Sequence, residues 1–146
     1  MTENKTIDHV LRATWQSVAK LYNEEASKYG ATMAIAFTLL NIDKEGTPST
    51  SLGPKMGMEA TSLSRTLKNM EEKGLIVRKK NPLDGRGVLI FLTDYGVEMR
   101  NVSKEKVIEF NSAILETVGQ EKIDTFYEVS NRIVDLIQQR KIFNKS

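Results

Sequence analysis

Within residues 59–73, Thr61, Ser62, Arg65, Lys68 and Asn69 recur at spacings that gather them on one side of a helix, taking about 100° per residue. Ala60, Leu63, Leu67 and Met70 form an apolar stripe on the other side, and Arg65 points almost directly away from it. An arginine can pair bidentately with guanine, a hydroxyl can reach a base edge or a phosphate, and a lysine neutralises backbone charge. The exposed face therefore suits the major groove of a DNA duplex. Glu71 and Glu72 are confined to the last turn, far from the bases if the N-terminal end of the helix enters the groove. An ordinary solvated helix has a similar face, so the surroundings decide.

Residues 55–87 hold eight cations and four anions, a local excess of +4, whereas the whole chain carries only +2. The positive charge is thus concentrated where a polyanion would have to dock. The segment runs into NPLDGRGVLIFLT, residues 81–93. Here Asn, Pro and Gly mark a turn, a β-branched and aromatic run follows, and Arg86 stands between two glycines at the expected tip. Lys55, Arg78, Lys79 and Lys80 are candidate phosphate contacts, which add affinity without sequence information. Strand alternation puts Arg78 and Lys80 on one side and Lys79 on the other, so they cannot all face one partner. Lys55 and Lys79 are taken as the backbone contacts.

Periodicity shows the elements that would hold these residues. Apolar residues at 7, 10, 11, 15, 18, 21, 22, 26 and 29 trace a helical stripe that stops at Gly30. Residues 31–42 are almost continuously apolar, as in a helix buried on most sides, and DKEGTP breaks it. STSLGPKMG forms a short helix with Ser49, Thr50 or Ser51 as its cap, Pro54 in its first turn and Gly57 at its close. Residues 59–73 make the next helix, ended by Gly74, and two short helices about Gly57 form a helix-turn-helix. LIVRKK (75–80) and VLIFLT (88–93) are the strands of a hairpin. Thr93 caps the helix beyond it, and long apolar stripes over 99–118 and 123–137 give two more helices, parted at Gly119. The fold class is mostly α with a small β-hairpin.

At 146 residues the chain suits one domain that buries roughly 70% of its unfolded surface. No apolar run approaches the roughly 18 residues that a membrane span needs, and MTENKTIDHV lacks the apolar core of a secretory signal. A cytoplasmic protein without a membrane partner is expected. Cysteine is absent, which removes disulfides, thiolate nucleophiles and thiol-based peroxide sensing. A zinc site would have to rest on His9, the single histidine, and carboxylates. Glu24-Glu25 and Glu71-Glu72 are adjacent pairs suited to solvated helix faces, and no glycine loop is built to cradle phosphates. Neither a metal, a cofactor nor a catalytic site is expected.

The run MGMEATSLSRTLKNMEEKGLIVRKKNPLDGRGVLIFLTDYG resembles the DNA-binding segment of the MarR family of bacterial transcriptional regulators. The likeness rests on four pieces: Thr61-Ser62-Leu63-Ser64-Arg65, a hydroxyl-rich helix start with its arginine; Glu71-Glu72-Lys73-Gly74-Leu75, an acidic end closing on Gly-Leu; Asp84-Gly85-Arg86, an Asp-x-Arg; and Leu92-Thr93 with Gly96 beyond. It covers about residues 32–98, while the outer helices agree in position and length alone. Two positions depart from the family pattern. Gly53-Pro54 stands where good helix formers are usual, which predicts a less regular third helix. Gly85 stands where many members carry another arginine, which predicts fewer wing contacts.

The resemblance implies one domain over 1–146, with a winged helix-turn-helix lobe at 32–98 and dimerisation helices at 5–30 and 97–142. It implies a sequence-specific regulator of transcription, expected to act as a repressor, bound as a homodimer to double-stranded DNA at a pseudo-palindromic operator. Thr61, Ser62, Ser64, Arg65 and Lys68 would then read the major groove, with two such helices about 34 Å apart along the duplex. The hairpin becomes the wing, with Arg86 in the neighbouring minor groove and Asp84 orienting it. The family often binds a small aromatic or anionic effector between the dimer helices and the DNA-binding lobe. Trp15 and Tyr22, with Tyr29 on the same helix, could line that pocket, although packing is the plainer role for such aromatics. The alternative is a winged helix used for protein contacts without specific DNA binding, which has no need to display Thr61, Arg65, Lys68 and Arg86 together.

Overall fold

Thr6 starts the first helix, its hydroxyl accepting the His9 N–H at 3.4 Å in the manner that satisfies an otherwise orphaned donor. The computed structural model describes residues 5–143, without the side chains of Asp84 and Arg86. Along it run α1 (Ile7–Ser27), α2 (Met33–Leu40), β1 (Thr47–Pro48), α3 (Ser49–Met56), α4 (Ala60–Glu72), β2 (Ile76–Asn81), β3 (Asp84–Leu92), α5 (Asp94–Val118) and α6 (Gln120–Gln138). The chain is mostly helical with a small antiparallel sheet, as expected. It divides into two compact units within α5, between Lys104 and Glu105.

In the first unit, Thr32 caps α2 by accepting from the Ile35 N–H at 3.2 Å, and the side-chain carbonyl of Asn23 on α1 accepts from the Met33 N–H at 2.9 Å. The turn between α1 and α2 is thereby fastened at both sides. Ile35, Leu39 and Ile42 from α2 and its end, Leu52 from α3, Leu63, Leu67 and Met70 from α4, and Leu75, Ile76 and Ile90 from the sheet region form one buried cluster. Burying each such side chain stabilises by about 1.5–3 kcal/mol, so α4 is held by its apolar stripe while its other face stays free. The strand order is β1-β3-β2, and Ile90 pairs with Thr47 on one side and Arg78 on the other. In the second unit, α6 has no buried residue, and Phe126, Tyr127, Val134 and Ile137 are exposed.

Four details differ from the sequence-based expectation. The sheet has a third strand, β1, whose two residues are too short to leave an alternating pattern; Thr47 is buried and its hydroxyl accepts from the Asp43 N–H at 2.7 Å. Pro48, paired with Leu89, is the N-cap of α3 and supplies no side-chain cap; Ser51 instead donates to the Pro48 carbonyl at 2.8 Å. Pro54 consequently lies at the sixth residue of α3 rather than in its first turn, where it removes one intrahelical hydrogen bond. The helix ends two residues later, with Gly57 left-handed at φ 63°. Finally, the hairpin turns at Pro82–Leu83, so Arg86 lies within β3 and not at the tip.

Candidate nucleic-acid interface

Leu63, Leu67 and Met70 anchor α4 in the core, and Thr61, Ser62, Ser64, Arg65 and Lys68 are all exposed on the rest of its surface. The structure therefore brings these five expected residues together. Among the described residues, none of the five side chains takes part in a hydrogen bond or an ion pair, whereas the neighbouring Thr66 hydroxyl donates back to the Ser62 carbonyl at 3.0 Å. Donors left open to solvent can exchange water for phosphate or base acceptors without breaking an internal contact. Gly53 is buried, and a Cβ there would stand 3.2 Å from the Met58 carbonyl oxygen and 3.7 Å from Leu63 Cδ2. The glycine that departs from the family pattern thus lets α3 lie close against the start of α4.

The wing is fixed to α4 at its base. Arg78 lies across from buried Ile90, on the sheet face turned to the helices, and its Nε is 3.6 Å from Glu71 Oε2 in the last turn of α4. Arg78 is thus a link between strand and helix more than a free cation. From the sequence, Glu71 reads as a solvated helix charge kept away from the bases. The overlooked signal is an opposite-charge pair straddling the Gly74 turn. At the other end of β3, the Thr93 hydroxyl donates to the Gly74 carbonyl at 2.6 Å and accepts from the Gly96 N–H at 3.0 Å, and the Thr93 N–H donates to the Leu75 carbonyl at 3.1 Å. Lys73 donates to the Gly30 carbonyl at 2.8 Å, which ties the end of α4 to the turn after α1.

Two expected backbone cations have weak partners. Lys55 Nζ is 3.9 Å from Asp43 Oδ2, both well exposed, and such a pair contributes about 0–1 kcal/mol. Lys79 lies on the outer sheet face with its Nζ 5.1 Å from the Phe91 ring centroid, worth about 0.5–1 kcal/mol at an exposed site. Either can be given up to a phosphate. Asp84 and Arg86 are placed by their backbone in β3, and their side chains fall outside what is described. Trp15 and Tyr22 lie apart from these residues, on α1. They are seven residues apart and so share one helix face. Trp15 is half exposed, and Tyr22 meets Phe37 of α2 edge-on at 5.2 Å; burial pushes the Tyr22 phenol up from its ordinary value. No helix among the described residues is long and apolar enough to cross a membrane, and no group of metal-ligating side chains is found among them.

Against known proteins, the model of the MarR family matches residues 32–88. The organic hydroperoxide resistance transcriptional regulator of Bacillus subtilis is 31% identical over 107 residues, covering 73% of this chain and 70% of that one. An uncharacterized HTH-type transcriptional regulator of the same organism, YdgJ, is 33% identical over 86 residues. That match takes in 56% of this chain and spans about half, 52%, of the relative's length. Among solved structures, the Staphylococcus aureus MepR–DNA complex superposes with a TM-score of 0.82 over 89% of this chain and 97% of that one. Its sequence identity is 16%, so this likeness is one of fold.

Proposed function

The chain belongs to the MarR family, and from that premise we propose that it is a sequence-specific, double-stranded-DNA-binding regulator of transcription. It acts as a repressor in the cytoplasm, as a homodimer on a pseudo-palindromic operator. The observation that carries this reading is the face of α4, on which Thr61, Ser62, Ser64, Arg65 and Lys68 stand exposed without partners among the described residues. In this account α4 lies in the major groove with its N-terminal half toward the bases. The hairpin serves as the wing, Arg86 entering the adjacent minor groove, where narrow width concentrates negative potential. Asp84 orients Arg86, and Lys55 and Lys79 neutralise phosphates. The dimer covers the apolar residues that a single chain leaves open, among them Ile7, Val10 and Leu11 on α1 and Phe126 and Ile137 on α6. It has no catalytic role, metal or cofactor.

Selection of bound duplexes from a random pool tests the proposal. Enrichment of an inverted repeat is the expected outcome, and an unenriched pool would favour a winged helix that binds protein instead.

Release from DNA is assigned to a small aromatic or anionic effector held non-covalently near Trp15 and Tyr22. The hydroperoxide in the name of the Bacillus subtilis relative would need other chemistry here, because this chain has no cysteine to oxidise. As the single tryptophan, Trp15 reports directly. Titration with an effector should change its fluorescence over the concentration range that releases DNA. Release with no change in Trp15 emission would place the effector elsewhere.

A further inference from the structure

The hairpin ends in an apolar side chain that the fold does not use. Leu83 is 96% exposed, whereas the other exposed large apolar residue among the described residues 31–93, Val77, is 40% exposed. The turn that carries it is tight. Asn81 pairs with Asp84 across Pro82–Leu83, and the Asn81 side-chain carbonyl accepts the Leu83 N–H at 3.0 Å. Pro82 fixes its own φ near about −65°, which suits the second position of such a turn. The position Leu83 occupies usually favours small polar residues or glycine. A leucine there gains nothing from folding, yet the Pro82 ring and the Asn81 bond restrain the turn that presents it, beyond the irregular pairing between Lys80 and Asn81.

The strands behind this tip carry Lys79, Lys80 and Arg86 against the single carboxylate of Asp84. A cationic hairpin led by an apolar residue matches the minor groove in two respects: rows of phosphate on both rims, and walls of deoxyribose C–H between them. Resting on the DNA-binding reading above, we propose that Leu83 packs against the sugar walls of the minor groove and adds selectivity for groove shape to the charge of the wing. Its contact releases no counterions, so it separates from the lysine and arginine contacts by its salt dependence.

The test compares wild type, Leu83→Ser and Leu83→Met by titrating the selected duplex and a random duplex across a salt series. Leu83→Ser should bind the selected duplex about fivefold more weakly, with random-duplex affinity and the slope of log affinity against log salt unchanged. Leu83→Met should restore wild-type binding, and the unfolding midpoint of both variants should match wild type because the side chain packs on nothing. Equal binding by Leu83→Ser would overturn the proposal, as would a loss shared by the random duplex with a shallower salt slope. A wild-type protein that binds no selected duplex would overturn the DNA-binding reading, and this inference with it.

Discussion

Arg65→Ala is expected to weaken binding to the selected duplex by about 1–3 kcal/mol, roughly 5- to 150-fold, while binding to random duplex changes much less. The residue is the sixth of α4, on the side away from Leu63, Leu67 and Met70. Because its guanidinium has no ion-pair partner among the described residues, truncation orphans no internal charge and leaves the core untouched. The loss therefore reports on the duplex alone. A bidentate guanine contact gives discrimination between sequences, whereas a phosphate contact weakens all duplexes alike and flattens the salt dependence by about one unit of slope. Gel-shift titrations on both duplexes separate the two. Equal loss on each would move Arg65 from the bases to the backbone.

Gly96→Ala is expected to lower stability by about 3 kcal/mol, at the upper end of overpacking costs and a large share of the roughly 5–15 kcal/mol that a domain has. A Cβ at this buried position would collide with the Leu75 carbonyl oxygen and stand 3.3 Å from Leu92 Cδ2. The backbone cannot swing aside cheaply. The Gly96 N–H is held by the Thr93 hydroxyl, and Thr93 is bonded in turn to the carbonyls of Gly74 and Leu75. Urea denaturation measures the cost, with Gly85→Ala as the control, since nothing lies within 4 Å of a Cβ there. A Gly96→Ala midpoint equal to wild type would mean that α5 meets the base of the wing less closely than described.

How much of this was legible in the sequence depends on what each pattern requires. The face of α4 was readable because thirteen helical residues give the 3.6-residue period enough turns to separate Leu63, Leu67 and Met70 from Arg65 and Lys68. The hairpin was readable from its β-branched run, but its turn lies earlier in the chain than the glycines suggest. Gly85 and Gly87 look like turn residues, yet they sit in β3 because Asn81 and Pro82 close a tighter turn before them. β1 was invisible because two residues carry no period. The start of α3 was misjudged because three hydroxyl residues in a row, Ser49 to Ser51, each suit a cap, and pairing of Pro48 with the sheet decides between them. The Arg78–Glu71 link escaped notice because it depends on the chain reversing at Gly74, which brings β2 back along α4. Such contacts belong to the fold rather than to any local pattern.

The central claim is that α4 and the hairpin form one surface that engages a duplex, twice per dimer. Hydroxyl-radical footprinting on the enriched duplex tests it most directly. Two protected half-sites are expected with centres about 10 base pairs apart, each flanked on its outer side by a shorter minor-groove protection that Arg86→Ala weakens. A single uninterrupted footprint, or flanking protection unchanged by Arg86→Ala, would contradict the account.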